Sequence, residues 1–228
     1  CLVLPRWSLS FAIRCKSLYI TTAARPSVWL SYFWKGNMHT KLIFLDTETT
    51  GLQALRSGEP YHEIIELAAL VLDDSMRLQS IIDNKYKMRR PGWADPRALE
   101  INNYSPQIWE HTALDWTYDT VGQLVALLQQ PCVLVGHNIN FDVRFLRALI
   151  IGEFGFEWRV PPCIDTRALA RLTWGYECLK MDTIRKKQGW SMFGAHSAAK
   201  DAIDCYRIYQ YFVASLCSAA VPFAIDDV

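Results

Sequence analysis

Residues 42–45, Leu-Ile-Phe-Leu, form an apolar run, and Asp46 and Glu48 stand one residue apart at its end, just ahead of Thr49-Thr50-Gly51. Such a run reads as a buried strand, and the Thr-Thr-Gly as a turn. Side chains two apart on a strand share a face, so both carboxylates can converge on one spot at the strand's end. Two unit charges about 4 Å apart repel by roughly 4 kcal/mol at an effective dielectric near 20, so a divalent cation between them is the economical explanation. On this stretch alone, an ordinary strand end with Asp and Thr capping a turn accounts for the pattern equally well. The rest of the chain has to decide.

Downstream, Glu63–Asp73 is a long apolar stretch that reads as a second strand, Asp73-Asp74-Ser75 as a turn, and 78–88 as the partner strand of a hairpin. Residues 53–60 read as loop. The basic cluster Lys85, Lys87, Arg89 and Arg90 has Tyr86 and Trp93 nearby. It suits either phosphates or a solvated edge strand guarded by lysines. Residues 94–101 suggest a short helix, and Asp119–Gln130 an amphipathic one ended by Pro131. Cys132–Val135 is an apolar strand closed by Gly136, 159–163 a further short strand, and 166–171 and 180–187 short helices. Alternation of strand and helix in this half predicts an α/β fold in which an antiparallel trio continues as a parallel sheet.

Two later segments carry chemistry. In Gly136-His137-Asn138-Ile139-Asn140-Phe141-Asp142, either Asn138 or Asn140 can cap a helix, whose first turns hold Asp142 near the C-terminal end of the strand just left. Open α/β sheets bind ligands there, although a first-turn Asp is also a routine partner of the helix dipole. The last helix has apolar positions at Ala198, Ala202, Cys205, Tyr209, Phe212 and Leu216, with His196 just before it and Asp201 one turn inside. Four carboxylates and one histidine from three elements make a hard-oxygen site suited to two Mg²⁺ or Mn²⁺ ions, the apparatus for in-line attack on a phosphodiester. An imidazole beside them suits a general base.

The 228 residues suffice for one sizeable domain. Seven scattered cysteines with no C-x-x-C pair indicate neither a disulfide framework nor a zinc site, and favour a reducing, cytoplasmic location over secretion. Residues 1–37 contain five basic residues and no acid, so the remainder holds 19 basic against 23 acidic residues, a net charge of −4. Nucleic acid would therefore be gripped through metals and local basic patches rather than global charge. No stretch reaches the roughly 18 uncharged apolar residues of a membrane helix, so no membrane association is expected. Residues 1–37 fit a targeting segment, a disordered extension, or translated sequence upstream of a start at Met38, with the last preferred. The expected organisation is an extension (1–37), one catalytic domain (38–217) and a short tail (218–228).

The stretches FLDTETTGL, GHNINFDVRFL and HSAAKD, in that order, resemble the three motifs of the DEDDh exonucleases, the DnaQ-like 3′–5′ family that includes the proofreading subunit of bacterial DNA polymerase III. The resemblance runs from about residue 41 to 216. It implies a ribonuclease H-like fold, with a five-stranded mixed sheet in order 3-2-1-4-5, strand 2 antiparallel, and helices on both faces. It further implies that Asp46 bridges two metals, that Glu48 and Asp201 join it at one, that Asp142 serves the other, and that His196 is the general base. Thr47, Thr49 and Leu52 fall where the family packs the 3′-terminal nucleotide, and Asn138 and Phe141 order the second motif on the substrate side; His137 reads as structural. The implied substrate is the 3′ end of DNA, with RNA as the alternative, and a polymerase or replication complex is a candidate partner. A non-catalytic nucleic-acid or polymerase-binding module is the rival of another class.

Overall fold

A computed structural model describes residues 40–218. The expectations for 1–37, and for the tail beyond its first residue, lie outside the described residues.

The sheet is built on β1 (Lys41–Thr49), which pairs antiparallel with β4 (Ile64–Leu72) on one side and parallel with β6 (Cys132–Gly136) on the other. β5 (Leu78–Lys85) flanks β4, and β7 (Cys163–Asp165) flanks β6 in parallel. The five strands therefore run β5-β4-β1-β6-β7, which in order of appearance is 3-2-1-4-5, with the second strand antiparallel as expected. Residues 53–60, read from sequence as loop, carry a second, two-stranded sheet, β2 (Leu55–Arg56) against β3 (Glu59–Pro60).

Alternation along β1 divides the core. Ile43 and Leu45 face a cluster with α3 (Tyr118–Leu128) and α4 (Asn140–Arg147), while Leu42 and Phe44 face one with α5 (Thr166–Trp174), α6 (Met181–Gln188) and α7 (Ala198–Ser218). Two earlier helices, α1 (Pro96–Ile101) and α2 (Pro106–Thr112), lie between β5 and α3 in the chain. No described helix is long and apolar enough to cross a membrane.

Three local expectations are corrected. β7 begins at Cys163 rather than at Arg159, because Pro161 and Pro162 have no N–H to donate to a ladder; Pro162 contributes only its carbonyl, to Leu134 N–H at 2.9 Å. Neither Asn138 nor Asn140 caps α4: its N-cap is Ile139, with no side-chain cap, because Asn138 instead takes the left-handed turn (φ 66°) that leaves β6. Of the two readings of the basic cluster at 85–90, the edge strand holds, since β5 ends the sheet, and the phosphate reading gives way because the charges are already paired. Lys85 pairs with Glu66, Lys87 with Asp115, and Arg89 and Arg90 with Glu63 and Glu153.

Candidate active site

Parallel pairing of β1 with β6 ends at Phe44 opposite Val135, whereas pairing with β4 passes Glu48 opposite Glu66 and, after a register shift, reaches Thr49 opposite Ile64. On the β6 side, β1 therefore runs on past its neighbour, and backbone groups beyond Phe44 need other partners. Asp142, from the first turn of α4, supplies one: its Oδ1 accepts Thr47 N–H at 2.9 Å and Thr47 Oγ1–H at 2.7 Å. The turn that delivers it needs Gly136, where a Cβ would meet Leu45 O at 2.9 Å.

On the other side, α7 brings Asp201. Ser197 Oγ accepts the Lys200 N–H at 3.4 Å, and Glu66 Oε1 accepts the Ala198 N–H at 3.1 Å, so a strand carboxylate satisfies an orphan donor at the helix start. Ala198 and Ala202 pack directly on Ala68 of β4, and these small side chains let the helix lie close to the sheet. The result is that Asp46, Glu48 and Asp201 each place a carboxylate oxygen within 4.8 Å of the others.

Burial and mutual repulsion act together on this cluster. Burial first, then Asp142, Asp201, Glu48 and Glu66, hold the Asp46 pKa well above the ordinary carboxylate range. Glu48 is pushed up to about 8 by burial and by Asp201, Glu66 and Asp142. Asp142 rises to about 7 by burial, against the opposing hydrogen bonds from Thr47. Asp201 is also raised by burial, although Arg185 and His196 pull it down. A set of oxygen donors that cannot all ionise unaided fits a hard divalent cation, which would neutralise them.

His196 lies outside that cluster. Its backbone is left-handed (φ 61°), its imidazole is partly exposed, and its Nε2 stands 3.3 Å from Asp182 Oδ2. Thr49 is buried and donates to Gly51 O at 2.8 Å, while Leu52, at the turn after β1, is 75% exposed. Phe141 packs on Phe145, and Asn138 donates its N–H to Asp165 Oδ1 at 3.1 Å. His137 is tied to Thr166 Oγ1 at 2.9 Å and to Leu179 O at 2.6 Å, and burial lowers its pKa, as a neutral structural imidazole requires.

Three residues escaped the sequence reading. Glu66 is the lone charge in a strand otherwise wholly apolar and buried, which was a usable signal. Arg185 occupies an inward phase of α6 beside Met181 and Ile184 and is fully buried, yet it pairs with Asp201. Asp182 touches both Arg185 and His196, and its sequence surroundings gave no hint of this.

Against known proteins, the RNase T family model, described as Exonuclease, matches residues 43–209, nearly three quarters of the chain. The chain belongs to this exonuclease family. Among curated relatives of the exonuclease, the DNA polymerase III PolC-type protein of Thermotoga petrophila is 30% identical over 196 residues, covering 86% of this chain but 13% of that protein. The DNA polymerase III subunit epsilon of Treponema pallidum is 27% identical over 192 residues, covering 80% of this chain and 82% of that one. The exonuclease chain thus spans only about a tenth to an eighth of the PolC-type proteins it matches. In fold it is similar to E. coli Exonuclease I in complex with a dT13 oligonucleotide, with a TM-score of 0.64, 15% identity, and coverage of 77% of this chain and 41% of that one. The architecture is that of the ribonuclease H-like exonucleases.

Proposed function

We propose that this exonuclease domain, residues 38–217, removes nucleotides from the 3′ end of single-stranded DNA as nucleoside 5′-monophosphates. The observation that carries the reading is the convergence of Asp46, Glu48 and Asp201 within 4.8 Å, with Asp142 locked to the same strand at Thr47. These carboxylates would hold two divalent cations, Mg²⁺ or Mn²⁺, which when bound stabilise charge developing at the scissile phosphate and lower the pKa of the attacking water. His196, at the rim and in reach of solvent, accepts the proton of that water. Leu52, projecting from the turn after β1, offers an apolar surface to the terminal base, and Thr47, Thr49, Asn138 and Phe141 are the other residues assigned to substrate binding in this reading.

A groove of about 520 Å³ runs beside Leu52 and is lined by Arg56, Arg144 and Arg147. No ion pair engages these three among the described residues, in contrast to the 85–90 cluster, so they suit the phosphates of a single strand. Relatives that are polymerase III proteins, and a structural neighbour holding dT13, support DNA as substrate and a polymerase as partner. The test is a gel of 5′-labelled single-stranded DNA and RNA incubated with Mg²⁺, Mn²⁺ or EDTA. Metal-dependent shortening of DNA from its 3′ end is expected. A preference for RNA overturns the substrate, and shortening in EDTA overturns the metal mechanism.

A further inference from the structure

We infer that Arg185 is a positioning residue whose single guanidinium fixes Asp201 for the cation and, through Asp182, anchors His196. This rests on the exonuclease reading of Asp201 and His196. All three guanidinium nitrogens are used: Nε donates to Asp204 Oδ2 at 2.8 Å, Nη1 to Asp182 Oδ1 at 2.9 Å, and Nη2 to Asp201 Oδ1. The other oxygen of Asp182 faces His196 Nε2 at 3.3 Å. The carboxylate meant for a cation and the one beside the imidazole are therefore two arms of the same fork.

The fork itself is held rigidly. Arg185 has no exposed surface, and its anchor Asp204 is equally buried, receiving Lys200 Nζ and, at 3.0 Å, Arg207 Nη1 as well. A buried ion pair of this kind is a poor source of stability, since an apolar side chain in the same volume commonly does as well or better. The neighbouring inward positions of α6, Met181 and Ile184, are filled that way. What a planar guanidinium adds is geometry: three acceptors fixed in one plane, which an ammonium cannot reproduce. Groups that orient a metal-binding side chain are typically worth 10- to 100-fold in metal affinity.

The experiment is Mn²⁺ titration of the full chain, followed calorimetrically, beside kcat on 5′-labelled single-stranded DNA. Arg185→Lys keeps the charge and loses the fork. It is expected to stay folded by circular dichroism, bind Mn²⁺ about 10- to 100-fold more weakly, and lose about 10²-fold in kcat at saturating Mn²⁺. Asp182→Asn, at a half-exposed site outside the carboxylate cluster, is expected to leave the Mn²⁺ isotherm unchanged and lower kcat. Wild-type Mn²⁺ affinity in folded Arg185→Lys overturns the inference, as does an Asp182→Asn protein that loses Mn²⁺ affinity as severely as Arg185→Lys. The isotherm needs no substrate. A wild-type protein that binds Mn²⁺ but cleaves nothing therefore overturns the exonuclease reading alone, and the isotherm still decides the role of Arg185.

Discussion

At the scale of single residues, the site is a compromise between repulsion and function. Asp46 is flanked by three other carboxylates that each raise its pKa, besides Asp142 on the adjoining turn. Asp46→Asn keeps the shape and removes one ionisable group from the crowded cluster, so it is expected to abolish DNA cleavage while leaving the metal-free thermal midpoint at pH 8 equal to or above that of the wild type. Melting curves and the gel assay check both halves, and an Asp46→Asn protein that still cleaves would refute the mechanism. His196 makes a different kind of contribution: it is at the rim, and its loss touches no core packing. His196→Ala should melt within about 0.5 kcal/mol of the wild type and lose about 10² to 10⁴ in rate. Side chains of this kind were legible in the sequence because they sit at strand ends and helix starts, where a lone acid or histidine stands out against an apolar pattern. Arg185 was not, since a basic residue among Lys186 and Lys187 reads as solvated until the helix phase is known.

Among the elements, the docking of α7 on β4 decides whether Asp201 reaches Asp46 and Glu48. That contact is made of alanines, Ala68 against Ala198 and Ala202, and of Glu66 receiving the Ala198 N–H. Ala202→Leu would force the helix off the sheet at a cost of about 1–3 kcal/mol. It is expected to lower the melting midpoint and weaken Mn²⁺ binding together, whereas Ile203→Ala on the helix's more open side should change neither; calorimetric melts and titrations read both. The long elements, β1, β4 and α7, were legible because nine or more residues of one period leave little choice. Two short ones were not, although the apolar run of β6 and the short helices α1, α5 and α6 were read close to their places. α2 has seven residues and buries only Trp109, too few to announce a period, and β7 has three, placed by two prolines rather than by propensity. The order of strands came from the resemblance, since no local pattern in β6 or β7 states which neighbour each will find.

For the molecule as a whole, the carboxylate cluster couples stability to pH. Glu48 and Asp142 hold their protons up to about 8 and about 7, and Asp46 and Asp201 are raised too. In the unfolded chain these groups ionise near 4. A folded state that binds protons more tightly gains from low pH, so this contribution is complete below about 4 and is lost as pH rises through about 7 to 8. Metal-free protein is expected to melt at progressively lower temperature between pH 5 and pH 8, and Mn²⁺ at pH 8 to restore the midpoint. Thermal melts in EDTA and in Mn²⁺ across that range test it, and a metal-free midpoint that climbs over the interval would contradict it.

The unfinished edge of β1 has one more consequence. Where β6 stops, the Thr47 amide is held by a side chain from a different element rather than by a neighbouring strand. Most amides in the centre of a sheet are shielded by backbone and report only on global opening. The Thr47 amide is instead expected to exchange with solvent according to how often Asp142 lets go of it. One proton in the middle of the sheet thus serves as a built-in gauge of how tightly the second motif is fastened to the first.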